Sequence, residues 1–297
     1  MVLLYSLNGG SFDGINHHKG KTLRHPAKRG FFMIKNMNKN NKKLTNILVA
    51  GPCATESLEL IQKSAKEAKK RKVDFLRANL WKPRTKPGFE GLGDEGLSIL
   101  VEIVRQGLNP ALEVVIPEQA QKVLDTLLPV LGDGKILLWI GSRNQNHFIQ
   151  KEIARIASSD KRVYLLVKNQ PWKDERHWEG IVEHVLDGGI SKDRLILCDR
   201  GFTPHGENPE NFRNVPDFEM AMRVKKKFDL PMVFDPSHSG GSVENVFKMT
   251  EIARLHNYDG LLTEVHPSPK DAITDAKQQV TWKEFDKLVD TMGVQKN

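Results

Sequence analysis

Eight short, continuously apolar runs alternate with longer amphipathic segments from residue 46 onward, and this alternation limits the fold more than any other feature. Continuous apolar runs are typical of parallel strands that are buried on both faces. Consecutive parallel strands need a crossover between them, which is usually a helix. The predicted strands are residues 47–51, 73–77, 111–116, 136–141, 163–168, 194–199, 232–235 and 260–265.

The segments between these runs carry apolar residues at three- and four-residue spacing, as amphipathic helices do. Predicted helices are residues 57–71, 94–106, 118–131, 146–157, 174–187, 216–228 and 243–257. Eight strand–helix units in about 250 residues predict an α/β fold, a single (β/α)8 TIM barrel. A doubly wound open sheet is the alternative. No G-x-G-x-x-G follows the first strand, which argues against a dinucleotide site.

The net charge of +8 lies in the first 45 residues. Of the chain's 45 Lys and Arg and 37 Asp and Glu, this segment holds nine basic residues and one acid, so the remainder holds 36 of each. A balanced body argues against nucleic-acid binding. We expect residues 1–45 to be a disordered basic extension and residues 46–297 to form the barrel domain. The extension is a presequence for organellar import, an interaction arm, or an upstream start with the true start at Met33 or Met37, which we favour.

Two further features concern the compartment. No run approaches the roughly 18 apolar residues that a membrane span needs. The two cysteines, Cys53 and Cys198, exclude a disulfide framework and favour a reducing compartment such as the cytoplasm. Cys198 lies within a predicted strand, so we expect it to be structural.

Cationic residues follow several of the predicted strands. They are Arg77, Lys82, Arg84, Arg143, Lys168 and Arg200. In a barrel the carboxyl ends of the strands share one face, so these side chains should converge. Such a cluster suits a ligand with two phosphates, or with a phosphate and a carboxylate. The alternatives are a salt bridge for each residue and a solvated basic loop for residues 77–93.

A second set at the strand ends combines soft and hard metal ligands. Cys53, His238 and Glu264, together with Asp275, suit a borderline divalent ion such as Zn²⁺, Fe²⁺, Mn²⁺ or Co²⁺. Each residue also has a structural alternative. Cys53 is then an inert buried thiol, His238 caps the next helix and Glu264 pairs with an arginine.

The motifs in these positions resemble those of one family. They are GPCATES (51–57), WKPRT (81–85), FEGLG (89–93), IGSR (140–143), LVKN (166–169), DRG (199–201), DPSH (235–238), EVHP (264–267) and TDAKQQ (274–279). From residue 47 to 290 the chain resembles type I 3-deoxy-D-arabino-heptulosonate 7-phosphate (DAHP) synthases. The likeness is to the beta subfamily, in the branch often joined to chorismate mutase.

The resemblance implies a (β/α)8 barrel and the first step of the shikimate pathway of aromatic amino acid biosynthesis. In this reaction phosphoenolpyruvate condenses with erythrose 4-phosphate and phosphate is released. The enzymes of the family need one divalent metal ion. The resemblance also implies a homo-oligomer, and a chorismate mutase supplied as a separate chain stays an open partner.

By the same resemblance, the metal ligands are Cys53, His238, Glu264 and Asp275, and Arg84 and Thr85 hold the aldose phosphate. Lys82 would be the proton donor to the new alkoxide, with a water on the metal as the alternative, while Cys53 and His238 serve catalysis as ligands. The phosphoenolpyruvate-binding residues are Arg77, Lys82, Arg143, Lys168 and Arg200, with Glu113 near the phosphate and Ser142 acting through its backbone N–H.

Three alternatives remain. A 3-deoxy-8-phosphooctulonate synthase would use arabinose 5-phosphate, but its corresponding loop lacks the Lys-Pro-Arg-Thr pattern. A class I aldolase would form an imine on Lys168, and a third reading is a non-catalytic phosphate-binding partner protein. The sequence departs from the family at Ser142, where alanine is usual, and in residues 86–88, 144–147 and 202–214.

Overall fold

Eight parallel strands close into a barrel in the part of the chain that the computed structural model describes, residues 44–83 and 88–294. Each strand pairs with its neighbours in chain order, which confirms the predicted barrel. The strands are β1 (Ile47–Gly51), β2 (Phe75–Arg77), β3 (Pro110–Glu113), β4 (Ile136–Ile140), β5 (Val163–Lys168), β6 (Leu195–Asp199), β7 (Met232–Phe234) and β8 (Gly260–Glu264).

Helices follow the strands, and side-chain caps fix where several of them begin. Ser57, Asn146, Asp174 and Asp217 each accept a backbone N–H of the first turn, as N-cap residues do. The α-helices are α1 (Leu58–Lys70), α2 (Leu97–Arg105), α3 (Pro117–Leu127), α4 (His147–Ser158), α5 (Glu175–Asp187), α6 (Phe218–Phe228), α7 (Pro236–Gly240), α8 (Val243–Ala253) and α9 (Trp282–Met292).

The strand residues divide between two apolar layers. One set points into the barrel, where Val49, Leu137, Leu166 and Val233 belong to one buried cluster. The alternate residues, such as Leu48 and Leu138, pack outward against the helices in a second cluster. Burial on both faces explains why the strands read as continuous apolar runs.

The barrel closes where the first strand meets the last. Ile47 lies opposite Gly260, and a Cβ on Gly260 would stand 1.9 Å from the Ile47 carbonyl oxygen. Outside the barrel, Arg71 at the end of α1 pairs with Asp286 of α9 at 2.9 Å and lies over the Trp282 ring. The first and last helices are therefore joined as the first and last strands are.

The predicted boundaries were wrong by two residues or more at two strands. The sequence predicts a strand over 111–116, but β3 stops at Glu113, because Pro117 starts α3 and the Gln119 side chain accepts the Val115 N–H. The run 73–77 begins its strand only at Phe75, because the Asp74 carboxylate accepts the Leu48 N–H. The prediction named neither the short helix α7 nor α9.

The disordered extension predicted for residues 1–45 falls almost entirely outside the described residues, so the domain boundary at residues 45 and 46 stays a prediction. Among the residues that the structure describes, none of the helices has the length and apolarity to cross a membrane.

Two glycine-to-alanine substitutions, one where the barrel closes and one in a helix, should change the free energy of unfolding in opposite directions. Gly260→Ala places a Cβ against the Ile47 carbonyl, so we expect a loss of more than about 2 kcal/mol in the free energy of unfolding. Gly180→Ala in α5 meets no atom within 4 Å and should gain about 0.5 to 1 kcal/mol. Urea denaturation measures both, and a Gly260→Ala protein as stable as the wild type would contradict this account of closure.

Candidate active site

A cavity of about 310 Å³ lies at the carboxyl ends of the strands, the face where barrel enzymes bind their substrates. It brings together predicted site residues from both sets. They are Cys53, Arg77, Lys82, Glu113, Arg143, Lys168, His238, Glu264 and Asp275. Cations and acids that lie far apart in the sequence thus line one space.

The remaining predicted residues fall in two groups. Ser142 and Arg200 line an adjoining cavity of about 270 Å³, which Arg143 also lines. Arg84 and Thr85 lie outside the described residues. The roles predicted for all four residues stay predictions, whereas the positions of Ser142 and Arg200 are now defined.

Three of the predicted metal ligands face one another. The Cys53 Sγ and one carboxylate oxygen each of Glu264 and Asp275 lie within 4.8 Å of one another. The Cys53 backbone N–H donates to Gln279 Oε1 at 3.0 Å, which fixes the turn after β1. A thiol and two carboxylates combine the soft and hard ligands that a borderline divalent ion takes. The donor set therefore fits such an ion.

The fourth predicted ligand, His238, stands beside this group. Asp235 Oδ1 accepts the His238 backbone N–H at 3.0 Å. Asp235 Oδ2 lies 2.8 Å from His238 Nδ1, but these two atoms are not aligned for a hydrogen bond. The Nε2 is 3.7 Å from a Glu264 oxygen. Burial lowers the pKa of His238 to about 4. A neutral imidazole turned toward the other donors is the form that binds a metal.

Lys82 places an ammonium among these donors. Its Nζ contacts the Cys53 Sγ and lies 2.7 Å from Asp275 Oδ2. Burial by itself would lower the pKa of Lys82, but Cys53, Glu264 and Asp275 raise it above its ordinary value. Cys53, Glu264 and Asp275, which we call the donor group, thus already surround a positive charge supplied by the chain. This is further evidence that the position suits a cation.

Burial acts on the thiol and the carboxylates in the same direction, but the net pKa shifts of Cys53 and Glu264 are opposite. Burial raises the pKa of the Cys53 thiol well above its ordinary value, and Glu264 raises it further. Burial would also raise the pKa of Glu264, yet neighbouring positive charges lower it to about 2. His238, which is protonated at the pH where Glu264 titrates, contributes most to this lowering, followed by Arg77 and Lys82. Glu264 is thus ionised, while Cys53 needs a further cation to become a thiolate.

The cationic half of the cavity is buried and paired. Arg77 donates to Glu264 Oε1 at 2.9 Å, and Lys168 donates to Asp235 Oδ2 at 2.7 Å. Both cations also stand over the ring of Trp139, at 5.1 Å and 5.6 Å from its centroid. Buried charges of this kind need partners, and here the acids and one aromatic face supply them.

The Glu113 carboxylate fits in its position because residue 141, opposite it, is a glycine. A Cβ on Gly141 would lie 1.9 Å from Glu113 Oε1, so the carboxylate fits only against glycine. The Trp139 indole N–H donates to its other oxygen at 3.2 Å. Burial raises the pKa of Glu113, against the influence of Lys168 and the Trp139 hydrogen bond.

The turn that carries Arg200 is held by a buried acid. Asp199 accepts the Gly201 N–H at 2.9 Å and the Tyr258 hydroxyl at 2.6 Å. Burial raises the pKa of Asp199 to about 6. Burial also lowers the pKa of Arg200 to about 10, which leaves it charged at neutral pH.

Sequence reasoning missed three charged or aromatic residues that line or support this site. Trp139 lies within a continuous apolar run, where nothing indicates which side chains point inward. Asp235 precedes His238 in the Asp-Pro-Ser-His motif, and its spacing was the available signal. Arg213, which lines both cavities, lies in a loop without periodicity and gave no signal.

The chain is similar to known enzymes over most of its length. The family model "DAHP synthetase I family" matches residues 33–296. Phospho-2-dehydro-3-deoxyheptonate aldolase of Thermotoga maritima is 30% identical over 259 residues, which cover 84% of this chain and 72% of that protein. A crystal structure of phospho-2-dehydro-3-deoxyheptonate aldolase (DAHP synthase) from T. maritima matches with a TM-score of 0.71 and 28% identity, covering 83% of this chain and 68% of that one. 2-Dehydro-3-deoxyphosphooctonate aldolase of Paraburkholderia phymatum is 27% identical over 269 residues, 82% of this chain and 88% of that protein.

Asp199→Asn should change how stability depends on pH. The folded-state pKa of about 6 exceeds the ordinary value of 3.8, so between these values the folded protein binds more protons than the unfolded chain. The wild type then loses stability as the pH rises, by up to about 3 kcal/mol. We expect Asp199→Asn to lack this loss in urea titrations between about pH 4 and pH 7.

Tyr258→Phe supplies the control for this pH dependence. The Tyr258 hydrogen bond lowers the pKa of Asp199. Removing this bond should therefore extend the loss of stability with rising pH to higher pH. Parallel stability curves for the wild type and Asp199→Asn would contradict the raised pKa.

Proposed function

Because the chain belongs to the DAHP synthetase I family, we propose that it condenses phosphoenolpyruvate with erythrose 4-phosphate to form DAHP and inorganic phosphate. The observation that carries the proposal is the pairing of two sets of groups in one cavity. Buried cations from β2 and β5 lie opposite a thiol, an imidazole and two carboxylates. The cations suit a substrate with a phosphate and a carboxylate, and the donors suit a divalent ion.

The proposed metal ligands are Cys53, His238, Glu264 and Asp275, and the ion is Mn²⁺, Fe²⁺, Co²⁺ or Zn²⁺. A divalent ion held there would supply Lewis acidity at the aldehyde oxygen of the sugar phosphate.

The chain's own residues would bind and orient the first substrate. Arg77, Lys168, Arg143 and Arg200 would hold the carboxylate and phosphate of phosphoenolpyruvate, with Lys82 beside them. Fixing both anionic groups leaves the C3 carbon free to attack the aldehyde carbon, and orientation then supplies much of the rate. Water adds at C2 after the carbon–carbon bond forms, and phosphate leaves.

Lys82 is the proposed proton donor in this reaction. Its raised pKa keeps it protonated at neutral pH, and its Nζ lies 2.7 Å from Asp275 Oδ2 in the donor group. It would protonate the oxygen that was the aldehyde carbonyl, which becomes a hydroxyl group of the product.

The other substrate and partner assignments come from the motifs and from the family resemblance. Arg84 and Thr85 are proposed for the aldose phosphate on the Lys-Pro-Arg-Thr motif. Glu113 and the Ser142 backbone N–H are proposed near the phosphoenolpyruvate phosphate. A homo-oligomer and a separate chorismate mutase follow from the family resemblance, and the free thiols Cys53 and Cys198 suit the cytoplasm.

The competing functions predict different chemistry. The octonate relatives support 3-deoxy-8-phosphooctulonate synthesis from arabinose 5-phosphate as the second candidate. An imine on Lys168 is disfavoured, because its Nζ is engaged in a buried ion pair with Asp235. Borohydride trapping would capture an imine if one formed.

The substrate is tested by phosphate release from phosphoenolpyruvate with Mn²⁺, with erythrose 4-phosphate and arabinose 5-phosphate supplied in parallel reactions. We expect turnover only with the four-carbon sugar. Turnover only with the five-carbon sugar would replace the substrate and keep the site, whereas folded, Mn²⁺-loaded protein that is silent with both would contradict the proposal.

A pair of cysteine variants tests the metal site. Cys53→Ala should lose bound Mn²⁺ and turnover together, and a chelator should reproduce the effect in the wild type until Mn²⁺ is restored. Cys198→Ala is the matched control, since Cys198 is equally buried in the barrel interior but belongs to the apolar cluster. Elemental analysis and phosphate release measure the two properties. Full activity in metal-free protein would refute the assignment.

A further inference from the structure

A two-residue segment, Arg213–Asn214, joins the cationic and metal-ligand halves of the cavity. It lies between β6 and α6, in the loop where the sequence departs from the family pattern. The Arg213 N–H donates to the Gly240 carbonyl at 3.2 Å and the Asn214 N–H to the Ser239 carbonyl at 3.0 Å. The segment is therefore fixed to the end of α7, the helix that carries His238.

Two glycines allow this close packing. A Cβ on Gly201 would lie 2.7 Å from the Asn214 carbonyl oxygen, and one on Gly241 would lie 2.6 Å from the Arg213 Cβ. Both glycines have positive φ, +75° and +78°, which other residues adopt at a cost. The backbone on either side is thus shaped to receive the segment.

Asn214 connects one cation to one ligand residue through a single amide. Its Oδ1 accepts from Arg200 Nη1 at 2.8 Å, and its Nδ2 donates to the His238 carbonyl at 2.7 Å. Both Asn214 and Arg200 are buried. The same Arg200 nitrogen also donates to the Gly201 carbonyl at 3.5 Å, but the bond to Asn214 is the shorter one, so this amide helps to orient the guanidinium.

Arg213 reaches the carboxylates of the donor group. It donates to Gln278 Oε1, and Gln278 in turn donates to Glu264 Oε2 at 2.6 Å. The same guanidinium lies 3.6 Å from Asp275 Oδ1. One arginine thus acts on two of the three clustered donors, on Asp275 directly and on Glu264 through Gln278.

We propose that Arg213 and Asn214 are positioning residues with separable roles, in which Asn214 aims Arg200 at the anionic substrate and Arg213 orients the Glu264 and Asp275 carboxylates for the divalent ion. The inference rests on the proposed function, because it takes phosphoenolpyruvate and a divalent ion as the ligands. It adds residues that act through others and do not touch the reacting atoms.

The test measures two binding constants on the folded protein without any turnover. The Kd for Mn²⁺ comes from a competition titration with a chelating dye, and the Kd for phosphoenolpyruvate from calorimetry at saturating Mn²⁺. Thermal unfolding confirms that each variant is folded. If the wild type binds neither ligand, the proposed function fails. If it binds both but the variants show no split, only this inference fails.

Asn214→Ala should weaken phosphoenolpyruvate binding by about tenfold or more, because a hydrogen bond to a charged group is lost. Its Mn²⁺ affinity should stay within about twofold of the wild type. Asn214→Asp keeps the acceptor for Arg200 and should restore most of the substrate affinity. Equal losses of both affinities in Asn214→Ala would overturn its assigned role.

The direction in which Arg213→Gln changes the Kd for Mn²⁺ distinguishes a positioning role from a purely electrostatic one. A positioning role predicts Mn²⁺ binding weaker by about tenfold, as for other residues that orient ligands. A merely neighbouring positive charge would have the opposite effect, since its removal should tighten cation binding. Arg213→Lys keeps the charge but not the planar geometry, and should also weaken Mn²⁺ binding. Tighter Mn²⁺ binding by Arg213→Gln would overturn the proposal.

Asn208→Ala is the matched control in the same loop. Its side chain makes two hydrogen bonds to the Phe212 backbone and contacts neither half of the cavity. We expect both binding constants to stay within about twofold of the wild type. If Asn208→Ala reproduced the effects of Asn214→Ala, general loosening of the loop would explain them and the inference would be wrong.

Discussion

The active site depends on buried charges that neutralise one another. Arg77 with Glu264, and Lys168 with Asp235, form ion pairs whose side chains are at most 5% exposed. A buried charge that loses its partner costs about 3 to 5 kcal/mol, so neither member can be replaced alone without penalty. The barrel provides this arrangement because the carboxyl ends of all its strands meet on one face. Charge balance therefore links strands that are distant in sequence.

The same acids serve both halves of the cavity. Asp235 Oδ2 lies 2.7 Å from the Lys168 ammonium and 2.8 Å from His238 Nδ1, so one oxygen neighbours both a cation proposed to bind substrate and an imidazole proposed to bind the metal. Glu264 is shared in the same way between Arg77 and the donor group. Under the proposed function, binding of either ligand would change the electrostatic environment of the other. The cavity is thus one electrostatic unit with two kinds of ligand.

The fold and much of the site follow from sequence because their signals are local or topological. The apolar runs predict the strands, and barrel geometry then brings residues such as Arg77 and Glu264 to one face. The pairings within that face were not predictable, because they depend on side-chain direction. Trp139 lies in a run that is apolar throughout, so periodicity cannot show that it points inward. Arg213 lies in an irregular loop, where its contact with Gln278 depends on a turn that only the folded chain defines.

Closure of the barrel by β1 and β8 has a consequence for how the chain folds during synthesis. Ile47 and Gly260 are opposite one another, and Arg71 and Asp286 are separated by 215 positions. Until the ribosome has released β8, one edge of β1 presents backbone groups without their native partners. Such an edge pairs readily with other strands. During most of the synthesis, β1 therefore lacks one of its two partner strands. The last two elements, β8 and α9, then complete the barrel and the outer ring of helices together.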